Sequence, residues 1–131
     1  DAWLLLSIIY AHENGETSLS YIIGYGDFIN HAIFTLEELQ GGLFRLLKNK
    51  YIQESKKGYH PTSKVMDTFK KFSVKNKSVI KQLAFIRKAL KSPEWSEDYD
   101  PTLANEGIDN IKISKVAYEN AYKEYFDSLR K

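Results

Sequence analysis

Side chains that could carry out catalysis or hold a metal ion are scattered along this 131-residue sequence. The histidines His12, His31 and His60 fall in separate predicted elements, with no carboxylate at the spacing of a zinc or iron site. Carboxylates cluster later in the chain, at Glu94, Glu97, Asp98 and Asp100. They lack the glycine turn and ligand order of a calcium loop, and cysteine, a phosphate-binding loop and a nucleophile elbow are also missing. The sequence therefore predicts no enzyme and no cofactor or metal.

Charge is strongly segregated along the chain, although the net charge is only +2. Residues 1–34 carry −4, residues 35–60 carry +2, residues 61–92 carry +8 and residues 93–131 carry −4. A basic middle segment favours a surface for polyanions, and a solvated helix face is the alternative. The lysines that could extend such a surface are Lys70, Lys71, Lys75, Lys77, Lys81, Lys88 and Lys91.

The most apolar stretch opens the chain and lacks the features of an export signal or a membrane span. Residues 2–11 hold a single polar side chain, and their length is about half of what a membrane-spanning helix needs. No basic residue precedes them and no small-residue cleavage pattern follows them. We therefore expect a buried central helix, a cytoplasmic protein and no membrane partner.

The elements that would position these side chains are predominantly helical. Apolar residues at helical spacing predict a second helix over residues 18–30. Thr35 and Glu38 form a capping-box pattern, which predicts that a leucine-rich helix starts there. Inside that helix the Gly41-Gly42 pair costs about 1 kcal/mol per glycine relative to alanine. We expect close packing against the first helix to offset this cost, with close approach of a nucleic-acid backbone as the alternative.

A β-hairpin and further helices follow the leucine-rich helix. Strand-like residues 51–55 and 59–60 flank a Lys-Lys-Gly turn of hairpin length. Helical patterns then recur, including a heptad-like apolar stripe over residues 79–90 and a tyrosine-rich helix over residues 114–129. An acidic connection over residues 92–110 separates these two helices, which could pack on each other or on a second copy of the chain. The predicted fold is mainly α with a small β-hairpin.

This order of elements is that of a winged helix-turn-helix followed by C-terminal helices. Through residues 43–52 and 58–62, the segment 2–65 resembles the winged-helix domains of small bacterial regulators such as the MarR and PadR families. The resemblance implies a winged helix-turn-helix over residues 1–65 and a helical C-terminal extension over residues 66–131. It also implies a homodimer formed through the C-terminal helices.

Two details of the chain trace follow from the same resemblance. The family usually has a left-handed glycine where Lys50 stands, so we expect Asn49 to take that conformation instead. The threonine after the second wing strand, Thr62, is expected to cap the next helix.

The resemblance implies a double-stranded DNA surface on the leucine-rich helix and the wing. The helix would place three side chains near base edges and one near phosphate, and the wing tip would add two lysines: Thr35, Gln40 and Arg45, then Lys48, then Lys56 and Lys57. Phosphates would, however, repel Glu37 and Glu38 at the start of the same helix. The sequence thus favours a DNA-binding transcriptional regulator, with a protein-protein interaction module that does not bind DNA as the alternative.

Overall fold

A computed structural model describes residues 1–90 and 113–129. In these residues the elements are, in order, α1 (Ala2–Glu13), α2 (Leu19–Asn30), α3 (Leu36–Lys48), β1 (Ile52–Ser55), β2 (Gly58–Pro61), α4 (Ser63–Ser73), α5 (Val79–Ala89) and α6 (Lys115–Ser128). The predicted mainly helical fold with a small β-hairpin is confirmed. The predicted acidic connection lies outside the described residues.

Helix α1 is the centre of the core, as its apolar composition predicts. Leu5, Leu6, Ile8 and Ile9 are fully buried, and the helix contacts α2, α3, α5 and β2. A helix that is apolar on nearly every face has to be surrounded, because any face left in water would forfeit the free energy gained by burial. In the described ranges, no helix is long and apolar enough to cross a membrane.

The predicted capping box starts α3. Thr35 Oγ1 accepts a hydrogen bond from the Glu38 amide at 3.1 Å, and the Thr35 amide donates to Glu38 Oε1 at 3.0 Å. Further along, a Cβ added at Gly42 would lie 2.6 Å from Leu4 Cδ2 of α1. Close packing against α1 therefore accounts for this glycine, as expected from the sequence.

The end of α3 differs from expectation. Lys50 has the left-handed backbone, with φ of 63°, whereas Asn49 has φ of −88°, so the assignment of that conformation to Asn49 was wrong. The buried Asn49 instead donates its side-chain amide to the Arg45 carbonyl at 2.8 Å. Asn49 thus satisfies a carbonyl of the last helical turn.

The hairpin is antiparallel, and its pairs run from Ile52 opposite Pro61 to Ser55 opposite Gly58. The Tyr59 amide donates to the Thr17 carbonyl at 3.0 Å, which fixes the hairpin to the loop between α1 and α2.

The start of α4 bears on one expectation about Thr62. This threonine is the N-cap residue of α4, but its hydroxyl makes no capping hydrogen bond. Its Oγ1 is buried and has no hydrogen-bond partner in the described part of the chain. The expected capping position of Thr62 is therefore confirmed, but its side chain forms no capping hydrogen bond.

The two long C-terminal helices each pack on an N-terminal helix of the same chain. The apolar stripe of α5 contacts α1, and the Tyr10 hydroxyl donates to Gln82 Oε1 across that contact. Helix α6 contacts α2. A single hydrophobic core therefore includes residues from both sides of residue 65.

Candidate nucleic-acid interface

Little of helix α3 faces solvent. Of its residues only Glu37, Glu38 and Lys48 are exposed, while Leu39, Leu43 and Leu46 are fully buried. The outward surface of this helix therefore begins with two carboxylates and ends with one lysine. The positive end of the helix dipole stabilises these two carboxylates, which would repel a phosphate placed beside them.

The three side chains predicted to lie near base edges are all engaged within the chain. Thr35 is held in the capping box, and Gln40 Nε2 donates to the Ile113 carbonyl at 2.9 Å. Arg45 donates through Nε and Nη2 to the two carboxylate oxygens of Asp1, each at 2.7 Å. The structure thus brings none of the three together as a free set of base-contacting groups.

The Arg45 ion pair is geometrically strong. It is bidentate, and the exposed fractions of the Arg45 and Asp1 side chains are only 20% and 10%.

The three predicted phosphate-contacting lysines are exposed. Lys48 Nζ lies 5.7 Å from the centroid of the Phe44 ring, which is a cation–π distance. Lys56 and Lys57 form the hairpin turn between β1 and β2. None of the three forms an ion pair with any residue that the structure describes.

A larger basic surface follows the hairpin turn. Every lysine and arginine between residues 56 and 88 is exposed: Lys56, Lys57, Lys64, Lys70, Lys71, Lys75, Lys77, Lys81, Arg87 and Lys88. Only one acid, Asp67, lies in that stretch. Within residues 1–90 and 113–129, none of these cations forms an ion pair. The +8 charge of residues 61–92 was the sequence signal for this surface, and Lys91 of that segment lies outside the described residues.

Helical spacing arranges these cations in rows. On α4, Lys64 and Lys71 are seven residues apart, so they share one helical face opposite the buried Phe69, and Lys75 follows in the turn after the helix. On α5, Lys81 and Lys88 are likewise seven residues apart, and Lys77 lies in the loop before the helix. Each helix therefore presents a lysine row to solvent.

Stacked aromatic rings hold these two helices together. The rings of Phe72 and Phe85 stack at a centroid distance of 4.3 Å with an interplanar angle of 10°. The Gln82 side-chain amide adds a 2.8 Å hydrogen bond to the Asn76 carbonyl in the connecting turn. These contacts fix the two lysine rows relative to each other.

An open groove of about 690 Å³ lies between α2 and α6. Its aromatic lining includes Tyr21, Tyr25, Phe28 and Tyr125, and the exposed fraction of Phe28 is 62%. No cluster of metal-ligating side chains occurs in the part of the chain described here. The lining of this groove therefore combines aromatic rings with charged side chains of α6.

Comparison with protein-family models, curated proteins and solved structures finds no match to this chain.

Proposed function

We propose that the protein is a winged-helix DNA-binding protein that serves as a transcriptional regulator and holds the duplex mainly by its phosphates. The observation that carries this proposal is the set of exposed cations from Lys56 to Lys88, which have no ion pair in the described part of the chain. Exposed cations that no carboxylate neutralises are available to replace the counterions condensed on a nucleic acid.

The distribution of charge suggests how the duplex is held. The wing-tip lysines and the lysine rows of α4 and α5 contact the backbone, whereas α3 offers few free groups for base edges. Phosphate contacts supply affinity and position, and base contacts supply sequence discrimination. Duplex binding by the protein in the conformation described above is therefore strongly salt-dependent and only weakly sequence-selective.

The salt dependence of duplex binding tests the proposal. Replacing Lys56 and Lys57 by alanine removes two phosphate contacts, so the slope of log K against log salt falls in magnitude by about 2. The affinity for unrelated duplexes falls by the same factor, because the lost contacts carry no sequence information. Fluorescence anisotropy over a range of salt concentrations measures both quantities.

A matched control keeps the positive charge at the same two positions. Replacing Lys56 and Lys57 by arginine leaves both cations in place, so the slope should stay unchanged. An equal loss of slope in the alanine and arginine double variants would contradict a role for the wing. Failure of the unmodified protein to bind duplex at low salt would refute the DNA-binding proposal itself.

The second candidate function is a protein-protein interaction module. It is favoured by the engagement of Gln40 and Arg45 within the chain and by the exposed Glu37 and Glu38 at the start of α3. Recovery of a specific protein partner, together with absence of binding to random and genomic DNA, would favour this candidate over the first.

A further inference from the structure

The C-terminal helix holds the start of α3 through side chains far apart in sequence. The Ile113 carbonyl, just before α6, accepts from Gln40, and the Tyr118 hydroxyl donates to the Phe34 carbonyl at 2.7 Å. Phe34 precedes the capping residue of α3, so both bonds converge on the first turns of that helix. Gln40, one of the side chains predicted to lie near base edges, is thereby occupied by another part of the same chain.

The attachment of α6 is narrow. Within the helix only Ala121 is buried, while Val116 and Leu129 are 65% and 59% exposed. A third hydrogen bond, from the Tyr125 hydroxyl to Asp27 Oδ2 at 2.7 Å, ties the helix to α2. Ile113 and Ala121 belong to the hydrophobic core and Tyr118 and Tyr125 pack against it, so apolar contacts and hydrogen bonds together hold the helix.

Tyr125 reaches α2 only because of a glycine. A Cβ added at Gly24 would lie 2.9 Å from a carbon of the Tyr125 ring, which is closer than atoms of this kind pack. The absence of a side chain at this position lets the ring lie against the helix. Gly24 is thus a position from which α6 can be displaced without altering α6 itself.

The docked helix also changes the charge beside α3. Its exposed acids are Glu119, Glu124 and Asp127, against Lys115 and Lys123. The pKa of Tyr118 is raised mainly by burial, then by Tyr122 and then by the nearby carboxylate of Glu38. Tyr118 of α6 therefore lies close to the acidic start of α3. A duplex approaching the start of α3 would meet Glu38 beside Tyr118, whereas Glu124 and Asp127 line the groove between α2 and α6.

We propose that α6 is an autoinhibitory latch on α3, and this inference rests on the proposed DNA-binding function. In the docked state the Gln40 side chain is held by the Ile113 carbonyl, while the phosphate contacts of the wing and of α4 and α5 remain available. In the released state the Gln40 amide is free to bind a base edge, and both affinity and sequence discrimination rise. DNA and the docked helix compete for one surface, so the latch regulates the same site.

The decisive variant is the full chain with Tyr118→Phe and Tyr125→Phe. Both rings keep their packing, but two of the three hydrogen bonds that hold α6 are lost. The apparent affinity for duplex rises with the fraction of molecules in which α6 is released. We therefore expect duplex binding to tighten about tenfold, in line with the usual strength of two such hydrogen bonds. Hydrogen exchange in α6 and at the start of α3 should accelerate by a similar factor.

Tyr122→Phe is the matched control. Tyr122 lies on the same helix, and its hydroxyl makes no hydrogen bond with the described residues, so this variant should behave as the unmodified protein. Gly24→Ala is a second route to release, because the added methyl group pushes Tyr125 away from the α2 side. It should also tighten binding, which keeps the test open if the double variant is poorly folded.

The outcomes separate the latch from the DNA-binding proposal. If the unmodified protein binds duplex and the released variants, shown by faster exchange in α6, bind no tighter, the latch is overturned and DNA binding stands. If neither the unmodified protein nor any released variant binds duplex at low salt, both proposals fail.

Discussion

At the scale of single residues, the backbone at Lys50 stores strain that glycine would relieve. Its φ of 63° lies in the left-handed region, where a side chain crowds the following carbonyl, and the residue is exposed. Lys50→Gly should raise the free energy of unfolding by about 0.5–1 kcal/mol, since relief of that strain outweighs the greater chain entropy of glycine. Urea denaturation measures the change.

Lys48→Gly is the control for this residue-scale prediction. Lys48 is also exposed but is the last residue of α3, where glycine relieves no strain and costs a part of the roughly 1 kcal/mol that it costs in a helix interior. The two substitutions should therefore shift the denaturation midpoint in opposite directions. Equal losses of stability in the Lys50→Gly and Lys48→Gly variants would show that the backbone conformation at Lys50 stores no strain.

The distance over which residues interact decides how much of the candidate site was predictable. The Thr35–Glu38 capping box spans three residues, so a local pattern identifies it. The Arg45–Asp1 ion pair spans 44 residues and the Gln40–Ile113 bond spans 73, and no local pattern encodes either. The six predicted contact residues were chosen by position in the elements, which cannot reveal that three of them are engaged elsewhere.

At the scale of elements, the contact between α1 and α3 depends on Gly42. A Cβ there would lie 2.6 Å from Leu4 Cδ2, and Leu4 is itself buried in the core. Gly42→Ala should therefore lower stability by about 1–3 kcal/mol through overpacking, even though alanine favours the helix by about 1 kcal/mol. Thermal or urea unfolding measures the loss.

The neighbouring glycine serves as the control. A Cβ at Gly41 would meet Arg45 Nη1 at 3.2 Å, at the end of a long side chain rather than in the core. Gly41→Ala should therefore cost less than Gly42→Ala. A larger loss at Gly41 would place the critical packing on the Arg45 side of the helix.

Element types were more predictable than their partners. Periodicity identified the leucine-rich helix, the hairpin and the tyrosine-rich helix, because each pattern is complete within its own segment. The apolar stripes of α5 and α6 showed only that each needs a partner. That α5 packs on α1 and α6 on α2 depends on the tertiary fold, which a stripe does not specify.

At the scale of the whole molecule, tyrosine hydroxyls connect parts of the fold that are distant in sequence. Tyr10 bonds to Gln82 between α1 and α5, Tyr59 lies in the hairpin, and Tyr118 and Tyr125 attach α6. Burial is the largest cause of a raised pKa at each of the four, and at Tyr125, where Asp27 adds to it, the pKa is about 12. The fold therefore depends on these hydroxyls remaining protonated.

This dependence predicts a loss of stability in alkali. Tyrosines of the unfolded chain ionise near pH 10, whereas the raised values keep the native hydroxyls protonated to higher pH. Above about pH 10 the native state then binds more protons than the unfolded state, so the free energy of unfolding falls as pH rises and the contribution is intact only below that point. Urea unfolding between pH 8 and 12, with tyrosinate absorbance recorded in parallel, should show this fall. Tyr125→Phe should make it shallower, and an unchanged slope in that variant would contradict the assigned role of the Tyr125–Asp27 bond.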